Sequence, residues 1–131
     1  MATRRAARER ALGLAYECEL RGVSAAELVA EQPVEPDEYA CRIVRGADDH
    51  REEIDALLRK FSEHWSLERM PVVDRALLRL GTYELVWMPE TPTGVIITEA
   101  VELAKLYSTK DSGRFVNGLL ARIAENVRAA E

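Results

Sequence analysis

Apolar residues recur along this chain at the three- and four-residue spacing of helices, and only once at a spacing that suits a strand. From Arg4 to about Leu20 they fall at Ala7, Ala11, Leu14, Ala15 and Cys18, one face of a helix that Gly22 ends. Ser24-Ala25-Ala26-Glu27 is a capping box, with Val23 and Leu28 placed for a hydrophobic staple, so a short helix is predicted up to the loop at Pro33–Pro36. One long helix is expected from about Asp37 to Lys60, its stripe formed by Ala40, Ile43, Val44, Ala47, Ile54, Leu57, Leu58 and Phe61. Ser62–Pro71 reads as a connector carrying Trp65, Leu67 and Met70. Val72–Met88 is apolar on nearly every side and belongs at the centre of a bundle, so Leu80 and Trp87 are expected inside. Pro89 and Pro92 break the chain before a helix over Thr93–Tyr107. A turn over Ser108–Gly113 leads to a last helix from Phe115 to about Arg128, with Val116, Leu119, Leu120 and Ile123 inward. Gly94-Val95-Ile96-Ile97 is the one strand-like run, and one short run builds no sheet. The fold class is therefore all-α, with about seven helices when the connector is counted.

The 131 residues suit one domain or two helical subdomains sharing a core, and nearly half are apolar, enough to build it. No apolar run reaches the roughly 20 residues of a membrane span, and no apolar stretch follows the N-terminal arginines, so neither a membrane nor a secretory signal is expected. Cys18 and Cys41 lack metal-ligand spacing and read as reduced core residues of a cytoplasmic protein. A net charge of −5 argues against a nucleic-acid partner until its distribution is considered. Residues 1–10 hold four arginines and one acid, residues 31–70 eleven acids and six bases, and residues 105–128 five bases and two acids. Two basic ends around an acidic middle permit a local anion-binding face.

Chemistry is hard to place. His50 and His64 are far from each other in any catalytic sense, one on helical surface and one in the connector, and there is no phosphate loop or nucleophile motif. Glu52, Glu53 and Asp55 read as a solvated face, not as metal ligands; no metal, cofactor or catalytic residue is expected. The arginines are more informative. Arg4, Arg5 and Arg8 lie within about one turn, and guanidinium forks match phosphates and stack on bases. Tyr16, two turns beyond Arg8, offers a stacking ring. An ordinary charged terminus explains the same composition equally well.

The run Arg4-Arg5-Ala6-Ala7-Arg8-Glu9-Arg10-Ala11 into Tyr16 resembles the opening helix of the NusB family. Asp74-Arg75-Ala76-Leu77-Leu78-Arg79 with Tyr83-Glu84-Leu85 is similar to its central helix. Glu99-Ala100-Val101-Glu102-Leu103-Ala104-Lys105, then Asp111-Ser112 and Phe115-Val116-Asn117-Gly118-Leu119-Leu120, resembles its C-terminal signature. The likeness implies a NusB-like bundle of two packed subdomains: residues 1–61, three helices with the arginine-rich helix first, and residues 62–131, together one compact domain. It implies transcription antitermination on ribosomal RNA operons. In that role the protein binds boxA-type single-stranded RNA together with NusE, a small-subunit ribosomal protein, within the transcription elongation complex. The matching RNA-side positions are Arg4, Arg5, Arg8 and Tyr16, completed by Lys105, Asp111 and Phe115; Asp74 and Arg75 match the region that meets NusE. No cofactor is implied.

Other roles fit several of these residues. Phe115 suits the core, Lys105 a solvated helix, Asp111 the cap of the last helix and Asp74 the positive end of its own helix. Gly118 suits close approach of a neighbouring helix. Two rival functions stay open: a helical protein–protein interaction module, and a homodimer that hides its arginine face without binding RNA directly. NusB-like domains also occur joined to RNA methyltransferases, but this chain is too short for the catalytic domain.

Overall fold

A computed structural model describes residues 3–63 and 65–128, so His64 lies outside the described residues. Among them are seven α-helices and one 3-10 turn, with no strand: α1 (Arg4–Arg21), α2 (Ala25–Glu31), α3 (Glu38–Asp49), α4 (Arg51–Phe61), the turn Leu67–Arg69, α5 (Val72–Trp87), α6 (Thr93–Tyr107) and α7 (Ser112–Val127). Local chemistry explains most boundaries. Thr3 Oγ1 accepts the Ala6 N–H at 3.0 Å, and Gly22, in the left-handed region at φ 66°, closes α1 through its N–H to the Cys18 carbonyl. Ser24 caps α2 as expected, its Oγ accepting the Glu27 N–H at 3.1 Å, while the Glu27 carboxylate turns back to accept the Ser24 hydroxyl, also at 3.1 Å.

The long third helix is a correction. The chain breaks at His50, where φ −106° and ψ 24° separate α3 from α4. The apolar stripe stops at Ala47 and resumes at Ile54, and the polar stretch between them lets the chain change direction. α3 can then pack against α1 and α5, while α4 packs against α5 and α7. The His50 ring stacks on Trp87 at 4.1 Å, with Tyr83 beyond it. Even with that ring covering one face, Trp87 is only half-buried, not enclosed as its helix pattern suggests.

α5 is the central element and packs against α1, α3, α4, α6 and α7. Its interior residues include Leu77, Leu78, Leu80 and Leu85, joined by Leu14, Leu28, Ile43, Ile54, Leu58, Ile96, Leu119, Leu120 and Ile123 from the surrounding helices. Two glycines let helices close on α5: a Cβ on Gly46 would run into the Tyr83 ring, and one on Gly81 would stand 2.9 Å from Leu120 Cδ1. Gly118 does not serve this purpose. A Cβ there would meet only Arg122 of its own helix, at 3.7 Å. Both cysteines are free, Cys41 buried and Cys18 half-buried. No helix among the described residues is long and apolar enough to cross a membrane.

Candidate nucleic-acid interface

Helical phase divides the arginines of α1. Arg8 shares the inward face with Ala7, Ala11 and Leu14, and is 5% exposed. Its Nε and Nη2 donate to the two oxygens of Glu84 at 3.0 and 2.9 Å, and Nη2 also donates to the Tyr39 hydroxyl at 3.2 Å. Tyr39 in turn donates to Glu84. Burial disfavours the Arg8 charge, but the Glu84 carboxylate outweighs it and holds the guanidinium above its ordinary value. Burial and Glu84 together push the Tyr39 phenol up, so it remains a donor. The expected fan of three surface guanidiniums is thus corrected: Arg8 is an internal strut between α1, α3 and α5.

Arg4 and Arg5 stay outside. Arg4 lies over the Tyr39 ring, 4.1 Å from its centroid, and Arg5 forks onto Glu99 of α6 at 3.0–3.3 Å. Tyr16 follows Arg5 by about three turns and so shares its face, more closely than that of Arg8. There Tyr16, Glu9, Leu12 and Gly13 of α1, with Val73 of α5 and Tyr107 of α6, line an open groove of ≈ 410 Å³. The Tyr107 hydroxyl donates to Glu9 at 2.6 Å, which raises its phenol above the ordinary value. Two accessible phenol rings therefore border one groove.

A second groove, ≈ 350 Å³, runs between α6 and the start of α7. Lys105, Lys110 and Arg114 line it with Asn117, against one carboxylate, Asp111. The Lys105 stem lies across Gly113, 3.2 Å from where a Cβ would stand, and its ammonium is 3.7 Å from Glu102. Asp111 is exposed at the N-cap of α7 but makes no side-chain cap hydrogen bond, contrary to expectation. Phe115 turns to the other side of the same helix end, half-buried, and meets Trp65 edge-on at 6.4 Å. It is therefore apart from Lys105.

Asp74 and Arg75 point inward. Asp74 is 2% exposed and accepts the hydroxyls of Ser108 and Ser112, which fastens the α6–α7 turn to the start of α5. Arg75 donates to the carbonyls of Leu67 and Met70 at 3.2 and 3.3 Å and to Glu19 of α1. The sequence pattern did not single out Lys110, Arg114, Tyr107 or Glu84. For Lys110 and Arg114 the signal was present: two cations stand four residues apart, Lys110 in the turn before α7 and Arg114 in its first turn.

A family model described as the NusB family matches residues 5–125. The transcription antitermination protein NusB of Kineococcus radiotolerans is 46% identical over 129 residues, spanning 95% of each chain. Among solved structures, NusB of T. maritima superposes with a TM-score of 0.86 at 39% identity, covering 95% of this chain and 92% of that one. A chain from the crystal structure of antitermination factors NusB and NusE in complex with double-stranded RNA gives a TM-score of 0.81 at 35% identity. It covers 94% of this chain and 96% of that one.

Proposed function

The chain belongs to the NusB family, and from that premise we propose that it is a transcription antitermination factor that works by binding. It binds boxA-type RNA together with NusE and acts on transcription of ribosomal RNA operons. The observation that carries this reading is the match, over nearly the whole chain, to a NusB structure determined with both NusE and RNA. The geometry supports an RNA face on the outer side of α1 and the α6–α7 groove. Arg4 and Arg5 approach phosphates from α1, Tyr16 offers a ring, and Lys105, Lys110 and Arg114 line the cationic groove. Asp111 shapes that groove and Phe115 backs its helix end. Arg8 acts indirectly, by fixing α1 on Glu84. Asp74 and Arg75 serve NusE as supports, by holding the α6–α7 turn and the connector that shape the surface NusE meets.

The test is a titration of boxA-type RNA, with and without NusE, at several salt concentrations. Each phosphate neutralised on a single strand contributes about −0.7 to the slope of log affinity against log salt. Replacing Lys105, Lys110 and Arg114 by alanine therefore flattens the slope by about 2 units if each meets one phosphate. Tyr16→Ala weakens binding at constant slope. A parent protein that binds no boxA-type RNA even with NusE at low salt overturns the reading.

A further inference from the structure

We propose that Trp65 is a stacking platform for an unpaired RNA base, placed at the end of α7 opposite the cationic groove. The inference rests on the RNA-binding reading above and adds to it a residue from outside α1, α6 and α7.

Trp65 is 55% exposed, although an indole has much to gain from burial. It stands on a connector that is fixed on both sides. Ser62 Oγ donates to the Trp65 carbonyl at 2.7 Å, Leu67 and Met70 are buried, and Arg75 holds the carbonyls of both. A ring held on a fixed segment loses little freedom on binding. Its packing within the chain is an edge contact with Phe115, with an interplanar angle of 66° and most of the residue still open to solvent. The surroundings decide what covers it. Arg114 adjoins Phe115 in sequence and, with Lys105 and Lys110, lines the groove on the other side of that helix end. A strand that crosses the start of α7 can set its phosphates on the cations of the groove on one side and an unstacked base on the open ring on the other. An apolar protein segment would gain nothing from those charges.

The experiment titrates boxA-type single-stranded RNA into the NusE-bound protein and its Trp65 variants. Trp65→Ala and Trp65→Leu are expected to bind about 5- to 150-fold more weakly with an unchanged salt slope, and Trp65→Phe and Trp65→Tyr to retain most of the affinity. In Trp87→Phe protein, whose one remaining indole is Trp65, saturating RNA should quench the emission. Circular dichroism checks that each variant is folded. Full affinity in Trp65→Ala, alongside weakened binding by the Lys105/Lys110/Arg114 alanine variant, removes the platform and leaves the RNA face standing. Loss of NusE affinity in Trp65→Ala without RNA, with RNA affinity unchanged, makes the ring a protein anchor and overturns the proposal. A parent that binds no RNA overturns both readings.

Discussion

Arg8→Ala should unfold this protein more readily than any other single arginine replacement on α1, because it leaves a carboxylate stranded. Glu84 is 2% exposed, and its two oxygens accept from Arg8 Nε and Nη2 and from the Tyr39 hydroxyl. Removing the guanidinium withdraws both charge-assisted bonds and the positive charge, while the tyrosine alone remains. Removing one member of a buried pair in this way costs about 3–5 kcal/mol, far more than the pair contributes relative to an apolar replacement. For a chain of this size each kcal/mol moves the melting temperature by roughly 3–5 °C, so a fall of about 10–20 °C is expected. Arg5→Ala is the control. Its fork to Glu99 is exposed to solvent, where ion pairs contribute little, and the melt should barely move. Arg8→Lys should rescue poorly, because one ammonium cannot reproduce two parallel bonds. Thermal and urea melts followed by circular dichroism measure all three. An Arg8→Ala protein that melts with the parent refutes the buried pair, and returns Arg8 to the surface face that its sequence neighbours suggest. If the pair holds, an RNA titration of an Arg4/Arg5/Arg8 alanine variant reports lost folding as well as lost contacts.

Leu80→Ala should cost roughly 2–5 kcal/mol by calorimetry, since the side chain is 5% exposed on the central helix; an unchanged melt would misplace α5. Asp74→Lys should destabilise the fold by about 3 kcal/mol or more, because it buries an ammonium where two serine hydroxyls donate to a carboxylate. A urea midpoint equal to the parent's would show that Asp74 faces solvent.

Most of the fold was legible because each helix carries its own signal. The capping box before α2, Gly22 after α1, the prolines before α6 and the apolar pattern of α5 are local, and each local signal agrees with the element that forms. The features that were not legible all depend on neighbours. His50 carries no helix-breaking chemistry, so the break between α3 and α4 follows from two packing directions that a single stripe cannot show. Trp87 is half-buried because it stands in the last turn of α5, where the His50 ring covers it in place of an apolar core. Gly118 looks like a packing glycine, yet the close approaches fall at Gly46 and Gly81. Helix α7 begins at Ser112, three residues before the apolar pattern starts, and what anchors that turn is a buried carboxylate on α5.

The same distinction separates the site residues. Arg5 and Arg8 look alike in sequence; what differs is a partner 76 residues away. That partner is the usable clue. Glu84 sits in a helix that is apolar on nearly every side, and an ionised group buried there must find a counter-charge. α1 is an arginine-rich helix with an apolar face that packs against α5, so a cation on that face is the natural one. Arg8 is the arginine whose helical phase matches that face, so the acid of the apolar helix points to it. The converse does not hold: the arginine cluster does not point to Glu84, because a cation near a terminus is equally consistent with phosphate, solvent or a buried acid. An ionisable residue in an apolar stretch restricts its partners; one in a polar stretch does not.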